Sequence, residues 1–205
     1  VFVSPSNPTG AVYPPAQVES IGRWALEHGL WVVTDEIYEH LVYGDNRFVS
    51  MPTVVPELAD QCVIVNGVAK TYAMTGWRVG YMAAPADFVK KLTEPRHTLS
   101  INTCTVSQHA ALAALTGPQD EMQATFKAYA ERRDYLMKAL TEAGLTYGAP
   151  GGAFYIYTNI AATGMKAKAF CETLLRKTGV MVFPGDMFGE PDSDFIRISY
   201  LQPLP

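Results

Sequence analysis

Three short apolar runs decide what kind of fold this chain can adopt. Strand-like segments at 1–4 (Val1-Phe2-Val3-Ser4), 30–34 (Leu30-Trp31-Val32-Val33-Thr34) and 62–66 (Cys62-Val63-Ile64-Val65-Asn66) each give way at once to polar residues. A strand buried on both faces reads as a continuous apolar run, so these three are expected to lie in a parallel sheet. Residues 14–29 read as a helix, with prolines at its start, Val18, Ile21, Trp24 and Ala25 on one face, and Gly29 as its cap. Strand–helix–strand alternation predicts an α/β fold, a mostly parallel sheet with helices on both faces. A fourth strand is expected over 77–83, then helices from about Ala86, over 107–115 and over 120–143. The last carries Met122, Phe126, Tyr129, Arg133 and Leu136 at helical spacing, the pattern of a core stripe, and is expected to bridge two domains. Strand patterns at 153–158, 180–183 and 195–200 with a helix over 166–177 predict a small α+β unit after it. The expected division is 1–117 and 118–205.

Composition narrows the class of function. With 48% apolar and 18% charged residues the chain is an ordinary globular one. A net charge of −4 with no stripe of Lys and Arg argues against nucleic acid as a partner. Cys62, Cys104 and Cys171 have neither metal nor redox spacing, so reduced thiols and a cytoplasmic setting are expected. His28, His40, His97 and His109 show no ligand spacing, and no metal is expected. No signal peptide and no long apolar run is present, so neither export nor a membrane span is indicated.

In open α/β sheets ligands bind beyond the carboxyl ends of the strands, and that is where this chain places its chemistry. Lys70 follows the third run and enters a loop poor in charge, where a poorly solvated amine is available to attack a carbonyl. Such an amine is the anchor required by an enzyme that uses pyridoxal 5'-phosphate (PLP). A lone lysine is usually a solvated surface group; four further segments change the reading. Ser4-Pro5-Ser6-Asn7-Pro8-Thr9-Gly10 is a tight turn that offers Asn7 as an amide aimed at a ligand. Asp35 stands where the second run ends, either as a helix N-cap or as the carboxylate that pairs with a protonated pyridine nitrogen, with Tyr38 three residues on. Arg78, eight residues after Lys70, is either a surface ion-pair partner or a phosphate fork. Arg197 sits mid-strand in Phe195-Ile196-Arg197-Ile198-Ser199-Tyr200, where a structural acid or a substrate carboxylate would be its partner.

Taken together, these segments resemble the fold-type I, class I aminotransferases over nearly the whole chain, and most of all the prokaryotic aspartate aminotransferase subgroup. Asn7 and Asp35 lie 28 residues apart and Asp35 and Lys70 35 apart, as in that family, and Ala73-Met74-Thr75-Gly76-Trp77-Arg78 is a specific signature. The resemblance implies that Lys70 carries PLP and moves the substrate proton. It also implies that Asp35 meets the ring nitrogen, that Tyr38 and Asn7 meet the ring hydroxyl, and that Arg78 holds the phosphate. Arg197, with Asn7, would bind the substrate α-carboxylate, and Gly151-Gly152-Ala153-Phe154-Tyr155 would line the substrate entrance. Residues 1–117 would be the second half of the large PLP-binding domain, and 118–205 the interdomain helix and small domain of a homodimeric enzyme. The reaction implied is transfer of an amino group from an L-amino acid, aspartate first, to a 2-oxo acid such as 2-oxoglutarate. An aromatic or alanine aminotransferase, a PLP lyase on the same scaffold and a regulatory module with an aminotransferase-like domain stay open. Two positions depart from many relatives, which carry Ser where this chain has Gly67 and Ala69. The family has a long part before Asn-Pro-Thr-Gly and a helix after the last strand, so the chain is expected to be a fragment.

Overall fold

The computed structural model describes residues 1–204. The chain divides into two compact units, the first made of Val1–Pro5 and Tyr13–Gln123, the second of Ser6–Val12 and the chain from Ala124 on.

The first unit is built on a four-stranded sheet ordered β1 (Phe2–Val3), β2 (Val32–Asp35), β3 (Cys62–Gly67), β4 (Gly80–Ala83). The first three strands are parallel and β4 is antiparallel to β3. Helix α1 (Pro15–Glu27) joins β1 to β2 and packs Val18 and Ala25 into a core with Val32, Cys62 and Leu58. The same core takes Met51 and Val55 from the short helix α2 (Met51–Val54) and the residue after it. Gly22 makes that approach possible, because a Cβ there would lie 2.9 Å from the Val55 side chain. The core-facing positions of α1 are therefore 18, 21, 22, 25 and 26, and Trp24, expected on the buried face, points outward. It is 54% exposed with its ring 4.6 Å from His28. Helices α3 (Ala86–Ser100) and α4 (Thr105–Thr116) follow β4, and the division between the units falls in the first turn of α5 (Asp120–Glu142).

The strand expected over 77–83 begins only at Gly80. Thr75–Trp77 form a single 3-10 turn and Arg78 takes a left-handed conformation (φ 55°), which breaks an extended run at that point.

In the second unit β5 (Thr146–Tyr147), β6 (Tyr155–Asn159), β7 (Phe183–Pro184) and β8 (Phe195–Ser199) form an antiparallel sheet ordered β5-β6-β8-β7. One sheet face packs on helix α6 (Ala167–Thr178) through Ile196, Ala167, Cys171, Val182 and Ile160. The opposite face carries Tyr155, Tyr157, Phe195 and Arg197, since alternate residues of a strand point to opposite sides. The strand expected at 180–183 shrinks to two residues, because α6 closes on left-handed Gly179 and leaves Val180 and Met181 exposed. β6 likewise starts at Tyr155 rather than Ala153, whose φ is +56°. Among the described residues no helix is long and apolar enough to cross a membrane, and no cluster of His, Cys, Asp and Glu could hold a metal ion.

Cys62 gives the first unit a pH signature. It is 3% exposed, and burial, aided by the nearby Glu36 charge, pushes its thiol up to about 11 from the ordinary 9.0. A thiol held neutral by the fold stabilises it fully below the unfolded value, and that contribution is lost as pH rises through the folded one. Unfolding stability is therefore expected to fall between about pH 9 and 11, and to fall less steeply in Cys62→Ala. Parallel slopes for the two proteins in denaturant titrations across that window would contradict this.

Candidate active site

Backbone pairing sets the first group of site residues. Asp35 is the last residue of β2 and pairs with Val65 of β3; the Glu36 N–H then donates to Val65 O at 2.9 Å. Asp35 is half-buried and its Oδ1 accepts the Ile37 N–H at 3.1 Å, which fixes the carboxylate at the head of a turn. Tyr38, 3% exposed, lies in that turn. Glu36 points the other way, is 3% exposed, and accepts from Ser50 Oγ at 2.7 Å and Thr34 Oγ1 at 3.2 Å. Burial pushes its carboxyl up, against the pull of those two hydrogen bonds.

A second set of hydrogen bonds ties the turn to the end of β3. Asn66 Nδ2 donates to Glu39 Oε1 at 2.6 Å, while Asn66 Oδ1 accepts the Gly67 N–H at 2.7 Å. Lys70 follows three residues after the strand and is half-buried. Two residues further, Tyr72 Oη donates to Gln119 Oε1 at 3.1 Å, and Gln119 Nε2 donates to the carbonyls of Gly117 at 2.7 Å and Ala114 at 3.0 Å. The lysine loop is thus tied at one end to the Asp35–His40 turn and at the other to the junction of α4 and α5. Arg78 is exposed, and its Nη1 donates to Thr75 O at 3.1 Å. Its left-handed backbone costs an L-residue roughly 1–2 kcal/mol. Since Gly67 pairs with Gly80, Arg78 comes back to the edge at which Asp35, Tyr38 and Lys70 leave the sheet.

The remaining two residues meet in the second unit. Arg197 Nη1 donates to Asn7 Oδ1 at 2.8 Å. The Arg197 guanidinium carbon lies 4.4 Å from the Tyr155 ring, 4.7 Å from Phe188 and 4.9 Å from Phe183. No acid of the described residues forms an ion pair with Arg197, and its buried Nε has no hydrogen-bond partner among them. The Asn7 turn is docked by the Gly152 N–H to Gly10 O, 2.9 Å, and a Cβ on left-handed Gly10 would lie 2.5 Å from Pro150. Ser4–Pro5 and Asn7–Pro8 are cis peptides. Ala153, Phe154 and Tyr155 are buried, with the Tyr200 hydroxyl on Ala153 O at 3.1 Å.

Residues 1–203 match the family model for aminotransferases of class I and II. The chain belongs to that family. It is 49% identical to an aspartate aminotransferase of Streptomyces avermitilis across 98% of this chain and 51% of that protein. An aspartate aminotransferase of Geobacillus stearothermophilus is 40% identical across 100% and 53%. Among solved structures, an aromatic aminotransferase from Pyrococcus horikoshii superposes with a TM-score of 0.93 at 37% identity, over 98% of this chain and 54% of that one. The chain therefore spans about half the length of the aminotransferases it matches.

The sequence pattern missed the Glu39–Asn66 and Tyr72–Gln119 ties, because they join polar residues with no spacing signature, and it missed the aromatic rings around Arg197. It flagged Gly67 as a departure from family practice without a reason. The structure supplies one: a Cβ at Gly67 would lie 2.9 Å from Val79 O and 3.1 Å from Gly80 Cα, both backbone atoms of the strand pair. Serine cannot enter there unless β4 shifts. Gly67→Ser is expected to destabilise the first unit by about 1–3 kcal/mol, the usual cost of overpacking. Equal chemical-denaturation midpoints for variant and parent would contradict the steric reading.

Proposed function

We propose that the protein containing this chain is a PLP-dependent aminotransferase that moves the amino group of an L-amino acid to a 2-oxo acid. The observation that carries the reading is the shared sheet edge, where Asp35 ends one strand beside Val65 and Lys70 follows the end of the next. The donor set suits the cofactor: an amine for its aldehyde, a carboxylate for its ring nitrogen, a phenol for its hydroxyl and a guanidinium fork for its phosphate. The names of the aspartate aminotransferase relatives favour aspartate as the amino donor, and the family resemblance supports 2-oxoglutarate as the acceptor. The family resemblance further supports a homodimer, with residues 1–117 as the second half of a large cofactor domain and 118–205 as the interdomain helix and small domain. The three free cysteines suit a reducing, cytoplasmic setting.

When bound, PLP supplies the electron sink for the charge left as the substrate α-proton departs. Lys70 Nζ anchors the cofactor, and once released takes the α-proton and holds it for return. Asp35 opposes the positive charge on the ring nitrogen and so keeps a proton there. Tyr38 Oη and the Asn7 amide orient the ring hydroxyl, and Arg78 holds the phosphate. Arg197 binds the α-carboxylate, whose two oxygens match the planar fork. No acid of the described residues forms an ion pair with Arg197, so none competes with a ligand for the fork.

Reducing the cofactor-loaded protein with borohydride and mapping the labelled peptide tests the reading: the phosphopyridoxyl group is expected on Lys70, and its presence on any other lysine ends it. Asp35→Asn is expected to slow α-proton removal about 10²–10³-fold, the loss expected for one preorganised electrostatic partner, while weakening cofactor binding much less. A near-normal single-turnover rate would refute that role. Arg197→Lys keeps the charge and loses the fork, so KM is expected to rise by a similar factor for aspartate and alanine. A loss confined to dicarboxylic substrates would show that Arg197 reads the side chain instead.

A further inference from the structure

Among the described residues no acid forms an ion pair with Arg197. In place of a counter-ion it has three aromatic rings within 5 Å of its guanidinium carbon: Tyr155 at 4.4 Å, Phe188 at 4.7 Å and Phe183 at 4.9 Å. The difference matters for a binding group. An acid would stabilise the charge by occupying the in-plane N–H donors, the same donors a ligand carboxylate needs. Ring faces stabilise it through the π quadrupole and leave the donor edge open. Here Nη1 is steadied by Asn7 Oδ1 at 2.8 Å, and no acid of the described residues forms an ion pair with the guanidinium.

Two of the rings come with the sheet. Phe183 is the cross-strand partner of Arg197, and Tyr155 lies two residues along β6 from its other partner, Tyr157. Phe188 does not; it ends the 3-10 turn Gly185–Phe188 and must be carried to the guanidinium by its surroundings. Those surroundings are built for it. The Tyr157 ring meets Phe188 edge-on at 6.4 Å and stacks on Phe195 at 5.1 Å. Tyr157 Oη donates to Glu190 Oε2 at 2.8 Å, which also accepts from Ser193 Oγ at 3.0 Å. The base of the turn is closed against the same groups: a Cβ at Gly185 would lie 2.6 Å from Tyr157 Oη.

We infer that Phe188 is a positioning residue that sets the affinity of Arg197 for the substrate carboxylate, holding the guanidinium by a cation–π contact that a carboxylate neighbour would replace only by blocking the site. The inference rests on Arg197 being the carboxylate group proposed above. Replacing Phe188 with mono-, di- and trifluorophenylalanine keeps the shape and removes the π charge stepwise, so a packing role alone would not respond. In the cofactor-loaded protein, KM for aspartate and alanine is expected to climb together along the series. The trifluoro form and Phe188→Leu should lie about three- to thirty-fold above the parent, the range a single cation–π contact spans. The turnover number and the cofactor absorbance should change far less, and Phe188→Tyr should restore the parent KM. Succinate binding by calorimetry, which needs no turnover, should weaken in parallel. Unchanged succinate affinity across the fluorinated series would overturn the inference, even if Phe188→Leu were impaired. A parent protein that binds succinate, loses it along the series and converts no amino acid would sink the aminotransferase reading and leave the role of Phe188 standing.

Discussion

The last rung of the β2–β3 ladder is the constraint on which the proposed chemistry depends. Parallel pairing of Asp35 with Val65, continued by the Glu36 N–H to Val65 O, makes both strands end at one edge of the sheet. A register slip of one residue would turn Asp35 to the other face and bring Glu36 into its place. The surrounding contacts resist that slip. Glu36 is buried against Ser50 and Thr34, and the apolar residues of the strands are locked against α1 and α2. The Glu39–Asn66–Gly67 hydrogen bonds then carry the alignment from the sheet into the loop that bears Lys70. Position is conveyed from packing to backbone to side chain in that order.

On the proposed reading the second unit meets a different requirement, how to keep a cation in a partly buried place while leaving it able to bind. Its sheet separates the two tasks by face. Ile196 packs toward α6 and supplies cohesion, while Tyr155, Tyr157, Phe195 and Arg197 occupy the opposite side. Tyr157 illustrates the polar support beneath: burial, reinforced by Glu190, pushes its phenol up to about 12, so it remains a donor at any ordinary pH.

Much of this was legible in the sequence because continuous apolar runs and single polar residues at their ends are local signals. The strands around Val32 and Cys62, the helix from Pro15 and the roles suggested for Asp35 and Lys70 all derive from such runs. The failures have physical causes of the opposite kind. Trp24 looked buried because helical periodicity cannot tell which arc of α1 meets α2; the close approach at Gly22 decides it. The run from Trp77 looked extended because nothing in it announces a left-handed arginine. Of the rings around Arg197, Tyr155 and Phe183 are brought near by the antiparallel register alone, and Phe188 by the turn that follows β7. The sequence holds all three aromatics and the strand arginine, but no spacing rule connects them.

The central claim is that Lys70 moves the substrate proton while Asp35 keeps the sink charged. Exchange of the α-proton of L-aspartate for deuterium in D2O, followed by NMR with the cofactor-loaded protein, tests it most directly. The account predicts steady exchange in the parent, slowed about 10²–10³-fold in Asp35→Asn and abolished in Lys70→Ala. Exchange at the parent rate in Lys70→Ala would show that another group carries the proton and would contradict the account.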